Sequence, residues 1–306
     1  MEIKIFYSKD WADYELVDTG EGEKLERFGK YLFVRPYEDA FWDKNPKELG
    51  WQKADGKFWS SKTGAKGGWK LEEDVASPVG YGRGMKKWEM GYRGIKFFAS
   101  PTPFRHLGFF PEQAYHWDLI EKKIKENSFP ASPIKFLNLF GYTGVASLFA
   151  LRAGAEVTHV DASKQSLAWA KENQMLSGLE KLPMRIIEDD AMKFIEREIK
   201  RGHKYDCIMM DPPKFGRGPK GEIWKLEEKL PKLLKNARKI LSDKPLLVIL
   251  TSYATESSAL SLGYTLEHMM EGIPGKVETG ELCVWEKSNA RPVPLANTAI
   301  WQSLEK

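Results

Sequence analysis

Residues able to grip a small ligand and act on it fall in four short segments, each placed just after an apolar run. They are Phe140-Gly141-Tyr142-Thr143-Gly144, Asp161, Asp190-Ala191 and Asp211-Pro212-Pro213-Lys214-Phe215. Glycine lets a ligand come close to the backbone, because a Cβ would fill the space it needs. A carboxylate placed like Asp161 accepts from the vicinal hydroxyls of a ribose. Asp190 either caps the helix that follows or accepts from an adenine amine while the Ala191 N–H donates to the ring, and the two roles are compatible. The prolines after Asp211 end any ladder and stiffen a loop whose carbonyls can hold a planar amine or amide. Together these residues describe a nucleoside-bearing cofactor beside a planar acceptor. A dinucleotide fingerprint would need glycines at 139, 141 and 144, and position 139 is Leu139, which disfavours a pyrophosphate and an NAD-dependent oxidoreductase. No G-x-x-x-x-G-K-S/T run occurs, so a P-loop is excluded.

The elements needed to position these residues alternate along the second half of the chain. Apolar runs at 134–139, 156–160, 184–187, 205–210 and 245–250 each precede a helical pattern, at 144–153, 163–178, 191–201, 222–241 and 256–270. Five such repeats with strongly apolar strands predict an α/β fold, a doubly wound, mostly parallel sheet covered on both faces. The runs 281–286 and 298–304 have no helix between them and are expected to pair antiparallel at one edge. Up to about residue 100 the pattern is short and turn-rich, with strand-like pieces at 3–7, 31–34 and 57–60 and glycine turns at 63–68 and 80–84. That predicts a smaller β-rich N-terminal domain of hairpins. The expected division is 1–100, a linker and helix over 101–132 with the helix near 113–125, and 133–306. Trp11, Trp42, Trp51, Trp59, Trp69 and Trp88 lie in the first part. They read as a surface that stacks bases or, more simply, as rings that fill a small core.

With 306 residues the chain has ample core. Cys207 and Cys283 are the only cysteines, which excludes a disulfide framework and fits a reducing cytoplasm. The sequence shows no membrane-spanning run and no signal peptide. No cluster predicts a metal site, and His106 and His116, which titrate in the range of a general base, read rather as structural or hydrogen-bonding residues. Net charge is +4, but segment 214–239 holds nine basic residues against Glu222, Glu227 and Glu228. A second basic stretch runs over 83–105. In 222–241 a buried stripe lies beside Lys225, Lys229, Lys232 and Lys239, either a solvated face or a phosphate contact, and Pro231 is expected to kink or restart the helix.

Taken as a set, Asn138-Leu139-Phe140-Gly141-Tyr142-Thr143-Gly144, Asp161-Ala162-Ser163 and Asp211-Pro212-Pro213-Lys214-Phe215 resemble class I S-adenosylmethionine-dependent methyltransferases. The resemblance is to the bacterial 23S ribosomal RNA methyltransferases of the large-subunit I and K/L type. Residues 104–117 resemble the segment that precedes the cofactor fold there, so the likeness covers the last two thirds of the chain. It implies S-adenosyl-L-methionine as cofactor, a base in ribosomal or other RNA as acceptor, and a role in rRNA processing. It implies that Asn138, residues 140–144, Asp161, Ala162, Ser163, Asp190 and Ala191 hold the cofactor, with Gln113 near its methionine end. Asp211 would lie between the sulfonium and the acceptor, with Pro212, Pro213, Lys214 and Phe215 positioning the target. Relatives that methylate cytosine at carbon 5 use a cysteine just after the fifth strand. Here that place reads Leu250-Thr251-Ser252-Tyr253, so transfer to a nitrogen is expected. Rival readings are a protein or small-molecule methyltransferase and a noncatalytic module with the same fold.

Overall fold

The computed structural model describes residues 1–59, 67–72, 75, 86–128, 132–253 and 257–304. The expected turn at 63–66, the glycine run at 80–84 and Arg83 lie outside these. Two compact units form. The larger comprises Met1–Phe6, Glu112–Cys283 and Pro294–Lys306, the smaller Tyr7–Pro111 and Val284–Val293. The boundaries at 100 and 132 expected from sequence thus differ from those observed. Strand β1 (Ile3–Phe6) pairs parallel with residues 279–282 of the larger unit, a long-range contact that no local pattern reveals.

In the smaller unit β2 (Tyr14–Gly20), β3 (Glu23–Phe28) and β4 (Tyr31–Pro36) form an antiparallel meander. To it β5 (Gly56–Trp59) adds in parallel and β6 (Gly68–Leu71) antiparallel. A separate hairpin joins β7 (Trp88–Tyr92) to β8 (Ile95–Ala99). Glu21-Gly22 and Arg93-Gly94 all take positive φ, as two-residue turns matched to the strand twist require. The tryptophans serve packing here. Trp88 stacks on Phe33, Trp11 packs on Tyr14, Tyr92 and Phe109, and of the six only Trp59 is strongly exposed.

The larger unit continues with α1 (Ala114–Asn127), β9 (Lys135–Leu139), α2 (Val145–Arg152), β10 (Glu156–Asp161), α3 (Lys164–Leu176), β11 (Met184–Glu188) and α4 (Ala191–Arg201). Then come β12 (Cys207–Met210), β13 (Phe215–Arg217), β14 (Ile223–Lys225), α5 (Leu226–Lys239), β15 (Leu247–Ser252), α6 (Ala259–Met270), β16 (Gly275–Glu286) and β17 (Arg291–Ser303). Its sheet runs β11-β10-β9-β12-β15-β17-β16, parallel from β11 to β15. Helices pack as two sets, α1–α3 and α4–α6, as a doubly wound sheet demands. Leu137, Leu139, Ile208, Met210, Val248 and Leu250 form a core with Phe194, Leu233 and Leu266 of the second set.

Three local expectations change. The helix predicted from 222 starts at Leu226, because Ile223–Lys225 pairs with Phe215–Arg217 in a hairpin turned at Gly221 (φ 84°). Pro231 lies inside one continuous α5; well past the first turn it removes a single backbone donor. The last two strands are longer than expected and are not an edge pair. β17 inserts antiparallel beside β15, and β16 is in turn covered by β1. The ends of β16 and β17 flanking their connection belong to the smaller unit, where Glu286 pairs with Leu16.

Candidate active site

Successive strands leave β9 in opposite directions, β10 to one side and β12 to the other. Such a switch point opens a crevice at the carboxyl ends of the strands. The register sets Leu139 beside Val160 and Met210, and Asp161 beside Glu188. Residues 140–144, 161–163, 190–191 and 211–215 therefore emerge at one end of the sheet.

The turn after β9 is backbone-strained. Phe140 (φ 58°), Tyr142 (φ 52°) and Gly144 (φ 84°) are all left-handed. For Phe140 and Tyr142 this costs on the order of 1–3 kcal/mol each and persists only where the surroundings impose it. They do. The Gly141 N–H donates to Val160 O (3.0 Å) and the Tyr142 N–H to Asp161 Oδ2 (2.9 Å). His159 Nε2–H donates to the Tyr142 carbonyl (3.2 Å), and Asn173 Nδ2 donates to the Thr143 carbonyl (2.9 Å). Behind them, Asn138 Nδ2 donates to Ser147 Oγ (3.0 Å), whose hydroxyl donates to His159 Nδ1 (3.0 Å). Burial, only partly offset by the bond to Tyr142, pushes His159 down to about 4, so the ring is neutral and keeps this tautomer near neutral pH.

A Cβ on Gly141 would lie 2.3 Å from His159 Cε1, so its bareness makes room for the histidine ring. Asn138 likewise points to Ser147, behind the turn. Asp161 accepts the Tyr142 N–H on one oxygen and the Ser163 N–H on the other (2.8 Å), and burial outweighs these bonds in raising its pKa. Ser163 caps α3 and Asp190 caps α4, accepting from Lys193 N (3.0 Å), with Ala191 buried as the first residue of that helix.

Across the crevice, Asp211 Oδ2 accepts from Gln113 Nε2 (3.2 Å), which also donates to the Tyr253 hydroxyl (2.9 Å). Gln113 Oε1 accepts from His116 Nδ1–H (2.5 Å), and His116 Nε2 accepts from the Thr298 hydroxyl (3.0 Å). Burial pushes His116 down to about 3, so it orients Gln113 as a neutral ring. Gln113, expected at the methionine end of a cofactor, turns its amide to Asp211 and Tyr253. Burial, then the charge of Glu112, pushes Asp211 up to about 7. Its Oδ1 is buried with no hydrogen-bond partner among the described residues.

The loop after Asp211 is anchored on β14. Trp224 Nε1 donates to the Pro213 carbonyl (2.6 Å), and its ring packs on Phe140 (4.9 Å between centroids). Pro212 is buried, Lys214 Nζ lies 5.9 Å from the Phe215 ring, and Phe215 is 64% exposed. Lys225 and Lys232 of the basic stretch are paired, with Glu228 and Glu196 (both 2.8 Å), which favours the solvated-face reading for both. For Ser147, His159, Asn173, Glu112, Tyr253 and Trp224 the sequence predicts no site role. His159 alone left a signal, a histidine inside the apolar strand Glu156–Asp161.

An adenosyl sulfonium fits these residues. Asp211 Oδ1 is buried without a hydrogen-bond partner among the described residues, at the same sheet end as the constrained turn. The Asp161 carboxylate, held by backbone N–H groups on both oxygens, offers acceptors for hydroxyl donors. Among the described residues no cluster of His, Cys, Asp and Glu is placed to hold a metal, and no helix is long and apolar enough to cross a membrane.

Comparison with known proteins agrees with this geometry. A solved S-adenosylmethionine-dependent methyltransferase from Agrobacterium tumefaciens is 42% identical, with TM-score 0.89, over 98% of this chain and 94% of that one. Ribosomal RNA large subunit methyltransferase K of Neisseria meningitidis serogroup B is 31% identical over 156 residues, 50% of this chain and 42% of that protein. Ribosomal RNA large subunit methyltransferase I of Aeromonas salmonicida is 32% identical over 123 residues, 40% of this chain and 29% of that protein. The chain thus spans less than half the length of these curated relatives. Residues 119–279 match the family model described as Conserved hypothetical protein 95. With a nucleoside-type crevice at the switch point and these likenesses together, the chain belongs to the Conserved hypothetical protein 95 family and to the S-adenosylmethionine-dependent methyltransferases.

Proposed function

We propose that the protein methylates a nitrogen of a base in RNA, ribosomal RNA in the first place, acting in the cytoplasm. The observation that carries this reading is the unpartnered Oδ1 of Asp211, next to a stiff diproline loop at the same sheet end as the glycine turn. S-adenosylmethionine, when bound, supplies a methyl group on a positively charged sulfur. The backbone of 140–144, Asp161, Ala162, Ser163, Asp190 and Ala191 would hold it, with Asn138 acting from behind through Ser147 and His159. Asp211 Oδ1 accepts one N–H of the acceptor amine and the Pro212 carbonyl the other, since the Pro213 carbonyl is taken by Trp224. In-line displacement then needs chiefly proximity and alignment, and ionised Asp211 takes the proton the nitrogen releases once methylated. Gln113 and His116 act by holding Asp211.

The names of the curated relatives support RNA as the acceptor. Nitrogen is favoured over carbon 5 because Cys207 and Cys283 are both buried in strands and the end of β15 carries Thr251, Ser252 and Tyr253. Burial raises both thiols, Cys283 to about 12, so neither is a ready thiolate nucleophile. Labelled methyl transfer to unmodified ribosomal RNA, with total cell protein as comparison, tests the acceptor. Nucleoside mass spectrometry tests the atom, and 5-methylcytosine as sole product would overturn the nitrogen assignment.

A further inference from the structure

The β13–β14 hairpin, which the sequence disguises as the start of a helix, has two unlike faces. Its inner face is spent on the site. Trp224 is 4% exposed and bound to the Pro213 carbonyl and Phe140, and a Cβ on Gly216 would already press on Pro213. The Leu226 N–H also donates to the Lys214 carbonyl (3.0 Å), so the hairpin is tied to the loop that carries Asp211. The register Phe215↔Lys225 and Arg217↔Ile223 sets four side chains together on the opposite face. All four are exposed, Phe215 and Ile223 each at 64%. Packing does not explain them, because the inner face already provides the burial that holds the hairpin.

Two apolar groups alternate with two cations on this face. Lys225 is shared with Glu228, whereas Arg217 has no acidic partner among the described residues. Rings and aliphatic groups interleaved with cations suit a flexible nucleic-acid strand, whose bases stack while its phosphates pair with the charges. We propose that this face is the docking surface for the single-stranded RNA segment flanking the target base, with Arg217 and Ile223 as its outer contacts. The inference rests on the RNA reading above and adds where the strand runs. An acidic, apolar peptide is the competing occupant; the direct tie to the acceptor loop favours the strand that carries the acceptor itself.

The test is the double variant Arg217→Glu/Ile223→Ser in the full chain, with Lys171→Glu, an exposed position on α3, as a control of equal charge change at its site. Thermal midpoint and S-adenosylhomocysteine affinity by calorimetry should match the native protein. The KM for unmodified ribosomal RNA should rise about tenfold or more, from the loss of one phosphate-pairing cation and one apolar contact. The salt dependence of RNA binding should become shallower by about one unit of slope for the cation removed. An unchanged KM for RNA, a rise matched by Lys171→Glu, or a selective loss of transfer to protein would each overturn the surface assignment. If the native protein transfers methyl groups to no RNA, the RNA reading fails first, and this inference fails with it.

Discussion

Burial and the neighbouring Glu112 charge push the Asp211 carboxyl up to about 7, so it gains or loses its proton in the working range of pH. On the proposed reading the ionised form is the competent one, and transfer should rise with pH to a plateau above about 7. Asp211→Asn should lower the rate by at least about 100-fold, the scale of a lost general base, and should remove that step from the pH profile. Stability should run the other way. A carboxyl raised in the folded state binds its proton more tightly there than when unfolded, so its favourable contribution is fully present at low pH and lost as pH rises through about 7. Thermal midpoints between pH 5 and 9 should therefore fall less in Asp211→Asn than in the native protein. An equal fall in both would contradict the shifted carboxyl. His159 offers a second residue-scale test. His159→Ala removes the donor to the Tyr142 carbonyl and opens space beside Gly141, freeing a turn whose strained residues need that support. S-adenosylhomocysteine affinity should drop roughly tenfold, equivalent to about 1.4 kcal/mol, as read by calorimetry.

Between elements, a buried ionic group joins β3 to β4. Glu26 is fully buried and receives Arg35 in a fork (2.7 and 2.6 Å), the Tyr14 hydroxyl (2.9 Å) and Lys24 (3.3 Å). Burial alone would raise its pKa, but these partners, led by Arg35, hold it down to about 2. Because the folded value lies below the ordinary one, this group stabilises the smaller unit above about 4.5 and loses that effect as pH falls toward about 2. Arg35→Met should destabilise the protein by about 3–5 kcal/mol near neutral pH, since it leaves a buried carboxylate under-paired. Urea unfolding would measure the loss, and a loss below about 1 kcal/mol would show that Lys24 and Tyr14 suffice. Burial and the charges of Arg35, Arg105 and Lys24 push the nearby His106 down to about 3, so this ring stays neutral and adds no step near pH 6.

For the whole molecule, chain order and spatial order part company. The first six residues complete the larger unit through β1, whose register runs from Ile3↔Thr279 to Phe6↔Leu282, and Phe6 packs on Tyr115 (5.0 Å). Deleting residues 2–6 should uncover the β16 edge and lower the thermal midpoint by several degrees; each 1 kcal/mol lost is worth roughly 2–4 °C in a domain of this size. An unchanged midpoint would mean that the pairing contributes nothing to stability.

How much of this was legible in the sequence follows from the range of the forces involved. Alternating apolar runs and helical periods revealed the doubly wound sheet and put the motif segments at its strand ends, because strand and helix patterns are local and a parallel sheet sends every strand end to one side. Contacts between distant segments stayed hidden. Gly141 serves His159, Gln113 serves Asp211, and Ile223–Lys225 folds back on Phe215–Arg217 rather than continuing a lysine-rich helix. Spacing along the chain determined where chemistry could occur. The tertiary structure decided which side chains support it, because close packing and burial, which set both the tautomers and the proton affinities, arise only when remote residues meet.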